Sequence, residues 1–389
     1  MKKNLILIFA LLLSFNSFSQ TPRLSEKSFI SVITFGPGQE ELYSAFGHSG
    51  IRVYDSASHL DVAFNYGVFN FEQPHFYLNF ARGYLYYMVD AYPYPLFRDF
   101  YIQHGRFVHE QILNLTAEQK QRIANYLFTN LQPQNQTYRY DYFYNNCATK
   151  VRDAFAITLK DDIVFDSSFI KTNYTIRNLT DLYLGQQPWG DLGIDICLGL
   201  PMDKKASPYE YMFLPDYIES SFEHATNKQT NSPLVEARQV ITPNAIEKTF
   251  NLFHPWVVFG ILFVITALIT WRDWQEKKLS TWFDSILFFV VGAIGLLLLF
   301  LWTLTDHQAA AKNFNLLWAL PTHFVVAIFL LFKQKPKWLK SYFLFITILT
   351  ALLLGFWSLL PQALNVFLIP VVGVILVRAI VNYMLISNK

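Results

Sequence analysis

The sequence predicts an α+β domain on the outer side of a membrane, followed by a bundle of five transmembrane helices. Three observations predict it. The chain of 389 residues is 52% hydrophobic and only 15% charged, too apolar for an ordinary soluble protein. Its apolar residues gather into five long runs beyond residue 250, whereas residues 21–250 have normal polar content punctuated by Pro, Gly and Asn. Within that first part, stretches of period-two alternation give way to stretches of helical periodicity.

At the N-terminus, Lys2 and Lys3 precede an apolar run from Leu5 to Phe15, and then come Ser17, Ser19 and Gln20. The run is shorter than the roughly 20 residues that span a bilayer. Residues 1–20 therefore read as a secretory signal peptide cut near Ser19 or Gln20, with a retained anchor as the alternative. No Cys stands near that cleavage point, so the chain is not expected to be a lipoprotein itself.

Residues 21–250 are long enough for one globular domain with its own core. Alternation of Val, Ile, Phe and Tyr with polar residues predicts strands at 49–54 and 62–71, and again near 107–115. A helix is expected over 117–131, because Thr116 and Gln119 stand at capping-box spacing. A second is expected over 147–155, preceded by the N-cap residues Asn145 and Asn146.

The membrane domain, 251–389, carries apolar runs at 255–271, 282–304, 315–332, 339–358 and 364–386, each near spanning length. Arg272, Lys277 and Lys278 lie between the first two runs, Lys333, Lys335, Lys337 and Lys340 between the third and fourth, and Arg378 and Lys389 toward the C-terminal end. The opposite side has only Lys312. By the positive-inside rule the first set is cytoplasmic and the N-terminal domain lies outside, in agreement with the signal peptide.

Some classes are disfavoured at this point. The net charge of +2 is dispersed, with no basic stripe interleaved with aromatics, so no nucleic-acid partner is expected. His48, His59, His75, His104 and His109 lack the close paired spacing of zinc ligands, and no Gly-rich phosphate loop is present, so neither a metal nor a cofactor is expected.

The chemistry-bearing residues are His48, in Phe46-Gly47-His48-Ser49-Gly50-Ile51, and Cys147, in Tyr144-Asn145-Asn146-Cys147-Ala148-Thr149. The His opens a strand and the Cys opens a helix, whose dipole favours a thiolate. An imidazole is the usual base for such a nucleophile. In an oxidising compartment, Cys147 and Cys197 can instead form a disulfide. Cys197, flanked by apolar residues and Gly, suits a small buried hydrophobe better than a nucleophile.

The motif around His48 extends through Arg52-Val53-Tyr54-Asp55, and that around Cys147 through Lys150-Val151-Arg152-Asp153. With Phe64-Asn65-Tyr66-Gly67-Val68-Phe69-Asn70-Phe71 and Glu110-Gln111-Ile112-Leu113-Asn114-Leu115-Thr116, they resemble the successive motifs of the Lnb family of bacterial lipoprotein N-acyltransferases. Thr305-Asp306-His307 and Asn313-Phe314-Asn315-Leu316-Leu317-Trp318-Ala319-Leu320-Pro321 resemble that family's pattern between the second and third spans. The order His before Cys also resembles permuted papain-like (NlpC-like) thiol enzymes.

The resemblance implies a periplasmic catalytic domain on the bacterial inner membrane. It implies a Cys147 acyl-thioester drawn from a membrane phospholipid and passed to the N-terminal amine of a diacylated lipoprotein, with His48 as general base and acid. Asn65 is the expected orienting partner of His48, with Tyr66 and Asp55 as competitors, and His59 sits in a solvated turn. Tyr66, Asp306 and His307 are candidate substrate contacts; the last two face lipid headgroups, dock the outer domain, or stand in a solvated loop. The aromatic stretch 77–107 lines an acyl groove, rests on the membrane interface or packs as core, and 209–215 is a second interfacial candidate. Two other functions remain open: a cysteine amidase or peptidase of the cell envelope, and a non-catalytic membrane scaffold.

Overall fold

The computed structural model describes residues 21–242 and 253–386; the expected signal peptide lies outside them. In chain order the first half runs β1 (Ser28–Phe35), β2 (His48–Asp55), β3 (Leu60–Val68), α1 (Phe76–Arg82), β4 (Leu85–Pro93), α2 (Tyr94–Gln103), β5 (Val108–Leu113) and α3 (Ala117–Asn130). There follow β6 (Thr137–Tyr140), α4 (Cys147–Leu159), α5 (Ile176–Leu184), α6 (Pro188–Cys197), α7 (Pro215–Glu223) and β7 (Val235–Thr242).

β1 is buried at nearly every position, as suits a strand in the interior of the sheet. The seven strands lie in the order β7-β5-β1-β2-β3-β4-β6, every neighbouring pair antiparallel. Pleating divides their side chains between two faces. Ile30, Val32, Ile51, Val53 and Phe64 pack on one face against α3, α4 and α7. Ile33, Phe35 and Ala63 pack on the other against Tyr94 and Tyr101 of α2. Each fully buried side chain of this kind contributes about 1.5–3 kcal/mol.

The expected strands and helices are present with small shifts at their ends. The capping box of α3 is formed, with Gln119 N–H donating to Thr116 Oγ1 at 3.2 Å and Thr116 N–H to Gln119 Oε1 at 3.0 Å. α4 starts likewise, through Thr149 N–H to Asn146 Oδ1 at 2.9 Å and Asn146 N–H to Thr149 Oγ1 at 2.7 Å. The stretch 77–107 is no single feature: it holds α1, β4 and α2. Tyr211, Met212, Phe213 and Leu214 are buried core, a correction to the interfacial reading of 209–215.

Beyond residue 253, α8 (Pro255–Glu276), α9 (Thr281–Leu304), α10 (Thr322–Phe329), α11 (Trp338–Gly355) and α12 (Ile369–Leu385) follow. Among the described residues four helices, counting Val366–Leu385 as one, are long and apolar enough to cross a membrane. The third expected run, 315–332, differs. It folds as a 3-10 turn at Phe314–Leu317 and then the eight residues of α10, with Pro321 at the N-cap. Eight residues rise only about 12 Å, against a hydrocarbon core of about 30 Å. Apolarity alone could not foresee the interruption. Asn315 turns its amide to the carbonyls of Asp195 and Ile196, both at 3.2 Å, which holds the chain out of a regular helix there. The segment lies close against α9: a Cβ on Gly292 would fall 2.2 Å from Phe324 N, and one on Gly295 2.0 Å from Ala319 O.

Two polar clusters fix the bundle. Near the ends of α8 and α9 that face away from the N-terminal domain, the buried Arg378 of α12 holds Asp273 and Asp284, with Nη2 at 2.8 Å from an oxygen of each. Asn382 Nδ2 donates to Asp284 at 2.8 Å. At the other end, Asn313, Asn315, Gln362 and Asn365 hold the N-terminal domain. Gln362 Nε2 reaches Leu198 O at 3.0 Å, and Asn365 Nδ2 reaches Asp191 and Asp195, each at 2.9 Å.

A buried ion pair that loses one partner leaves an uncompensated charge, at a cost of about 3–5 kcal/mol. Arg378→Met is expected to lower the thermal unfolding midpoint of the detergent-solubilised protein markedly. Adding Asp273→Asn and Asp284→Asn is expected to recover much of the loss; an unchanged midpoint in the single variant would contradict the assignment.

Candidate active site

Gly47 makes the turn that sets up β2: its φ is +75°, and a Cβ there would meet Phe35 O at 2.7 Å. His48 then pairs with Phe35, and Gly50 pairs with Asn65 on β3. This register brings His48 Nε2 to 2.6 Å from Asn65 Oδ1. An amide oxygen only accepts, so Nε2 carries the proton and Nδ1 is left with its lone pair free.

The imidazole is walled by aromatics. Tyr101 lies parallel to it at 6.2 Å, Phe35 stacks at 6.1 Å and Phe97 meets it edge-on at 6.3 Å. Burial in this wall depresses its pKa to about 4; the Asn65 bond opposes the shift and the Arg106 charge adds to it. At neutral pH, His48 is an uncharged base.

Cys147 is the first residue of α4. The backbone N–H groups of Ser49, Ala148 and Cys147 itself favour its anionic form, and so does Arg106. Desolvation is nevertheless the larger effect and pushes the thiol up from its ordinary value. Cys147 as a residue is half-buried, and protein crowds its side chain. The helix dipole therefore does not by itself yield a resting thiolate. Gly67, φ +94°, leaves room beside Cys147: a Cβ there would sit 3.6 Å from both Cys147 Cβ and the Tyr140 ring.

The structure thus brings Cys147 to the strand end that carries His48 and Asn65, through the Ser49 amide. Among the described residues no hydrogen bond joins the imidazole to the thiol, an arrangement open to tightening when substrate binds. Arg106 was not visible as a site residue in the sequence. It stands just ahead of β5, donates from Nε to Gly36 O at 2.6 Å, and packs its guanidinium 4.5 Å from the Tyr101 ring centre. Only the tertiary fold identifies it.

The other expected residues fall elsewhere. Tyr66 is 1% exposed in the core that faces α4, and its hydroxyl has no hydrogen-bond partner among the described residues. Asp55, at the far end of β2, is bound to Ser25 and to the Ala57 N–H and so does not orient His48. Both cysteines are free, so the disulfide alternative is not realised. Asp306 and His307 dock onto α1: Asp306 N–H donates to Arg82 O at 2.9 Å, His307 Nε2 lies 3.0 Å from Phe80 O, and Arg139 pairs with the Asp306 carboxylate.

One carboxylate group that His spacing did not reveal is Asp181, Asp191 and Asp195, whose oxygens lie within 4.8 Å of one another. Burial and mutual repulsion raise the Asp181 pKa well above the carboxylate range and that of Asp191 to about 6. Asp195 is bound by Arg177 and Asn365, and Asp191 by Asn365.

A family model described as the Lnb N-terminal periplasmic domain matches residues 21–181, and one described as the Lnb transmembrane domain matches 246–389. The chain belongs to the Lnb family. No curated protein and no solved structure matches it. As an Lnb-family protein it is a membrane protein with a periplasmic N-terminal domain, of a family associated with lipoprotein modification.

A base that must be neutral to act fails when it is protonated. The acid limb of a rate profile that depends on His48 is therefore expected as pH falls through about 4, below the ordinary imidazole range. A limb near the unperturbed value of about 6.5 would contradict the buried, uncharged imidazole.

Proposed function

We propose that this protein moves an acyl chain from a membrane phospholipid to the α-amino group of a diacylated lipoprotein, through a thioester on Cys147. The observation that carries the proposal is the joint placement of three features. Backbone N–H groups are aimed at the Cys147 sulfur, a neutral imidazole is oriented by Asn65 on the adjoining strands, and the domain is tied to the ends of membrane helices. The His-bearing strand before the Cys-bearing helix fits a permuted papain-like arrangement.

In the first half-reaction, His48 Nδ1 takes the thiol proton as sulfur attacks the ester carbonyl carbon. Because both groups rest uncharged, transfer and attack are coupled. The developing oxyanion is stabilised by the N–H groups at the start of α4 and by the Arg106 charge. The ester C–O bond then breaks, His48 returns the proton to the departing oxygen, and a lysophospholipid leaves. In the second half, the lipoprotein amine attacks the thioester carbon and gives its proton to His48. The C–S bond breaks, an amide forms and the thiol is restored.

The same reading places the protein in the bacterial inner membrane with the site facing the outer leaflet. Residues 315–332 then form a fifth, interrupted membrane element, tolerated because its irregular backbone is packed on protein.

Cells lacking their own lipoprotein N-acylation and carrying Cys147→Ser are expected to contain no N-acylated lipoprotein, with the variant present at wild-type level. His48→Ala is expected to lower transfer about 10²–10⁴-fold. Wild-type N-acylation in the Ser variant would overturn the nucleophile assignment and favour a scaffold; cleavage of cell-wall peptide without N-acylation would favour an amidase.

A further inference from the structure

α1 has a composition unsuited to water. Phe76 packs inward, but Tyr77 is 75% exposed, Leu78 54% and Phe80 43%, and the preceding Phe71 is 58% exposed. No charged side chain stands between Glu72 and Arg82. A contiguous exposed patch of this kind marks an interaction surface.

What covers it is indicated by where α1 is fastened. Its last turn bonds the Asp306-His307 loop through Arg82 O and Phe80 O. Leu304, two residues before Asp306, ends the spanning helix α9. Arg139 adds a second tie, pairing with Asp306 and donating to Gly83 O at 3.1 Å. The patch is thus continuous with the outer end of a transmembrane helix, at the height where Tyr, Phe and Trp settle in a bilayer.

We propose that α1 and Phe71 form a lipid-contacting element seated in the headgroup and upper acyl region of the outer leaflet. Arg82, exposed at the last turn of α1, meets lipid phosphates there. The element leads back toward the nucleophile. Phe76 lies 6.3 Å from Phe69, Phe69 5.0 Å from Tyr87, and Tyr87 4.4 Å from Tyr140, whose ring borders Gly67 beside Cys147. On the acyl-transfer reading, and resting on it, this aromatic series is the path by which a lipid tail reaches the thiol. The membrane contact itself does not need that reading.

The test uses the full chain in phospholipid vesicles, with Cys147→Ser and Cys197→Ser to leave one labelling site. A nitroxide is placed through Leu78→Cys or, separately, Tyr77→Cys, with Ile157→Cys as a water-exposed reference on α4 and Phe300→Cys as a membrane reference on α9. The ratio of oxygen to nickel-chelate accessibility at 77 and 78 is expected to be several-fold above that at 157 and to approach that at 300. A ratio equal to that at 157 would overturn the proposal. So would shielding from both reagents with spin–spin broadening, which would mean that a second copy covers the patch. The readout involves no acyl transfer, so its failure is distinguishable from failure of the enzymatic reading.

Discussion

The seating of the N-terminal domain on the membrane bundle depends on the Arg177 guanidinium. Arg177 is 1% exposed, and all five of its donors are used: Nε on Asp203 at 3.0 Å, Nη1 on the Asp195 carboxylate at 2.6 Å and on Asp195 O at 3.3 Å, and Nη2 on Asp203 and Leu198 O, each at 3.0 Å. The acceptors pass the constraint to the membrane domain. Asp195 takes a bond from Asn365, Asp203 accepts the Ala363 N–H at 2.9 Å, and Leu198 O accepts from Gln362. A buried ion is costly unless its hydrogen bonds are satisfied, and here each guanidinium N–H and both oxygens of Asp195 and of Asp203 have a partner. Gly199 N–H adds a backbone bond to Ala309 O at 2.7 Å. The domain is therefore clamped to its bundle by these bonds.

The electrostatics of the site follow from burial more than from the helix dipole. Backbone amides and Arg106 favour an anion at Cys147, yet desolvation outweighs them, and the same aromatic wall keeps His48 neutral. On the proposed reading, a neutral thiol and a neutral base form a resting state whose charge is created only during attack. Donors already aimed at that position stabilise the charge without reorganising. This contrasts with the preformed thiolate that the start of a helix suggests when it is read alone.

His48, Asn65 and Cys147 were legible because each lies in a local motif: a Gly turn feeding a strand, an alternating strand, and a capped helix start. The capping residues Thr116, Gln119 and Asn146 were legible for the same reason. Tyr66, expected as a substrate contact, is core instead, as the pleat requires: if Asn65 faces His48, its neighbour on the strand points to the opposite face. Arg106 and Tyr101 reach the site only through the placement of α2 and β5 beside β1, which no local pattern carries. Hydropathy located the membrane domain but not the break at Pro321, since Asn313 and Asn315 find their partners more than a hundred residues away in α6. The Asp181 group escaped notice because α5 and α6 assemble it.

The central claim is a covalent acyl group on one sulfur. Wild-type protein incubated with phospholipid in the absence of a lipoprotein acceptor, then digested and examined by mass spectrometry, tests it most directly. The peptide containing Cys147 is expected to gain the mass of one fatty acid less water, to lose it on treatment with neutral hydroxylamine, and to transfer it when a diacylated lipopeptide is added. An unmodified Cys147 peptide in protein that nonetheless transfers acyl chains would contradict the account.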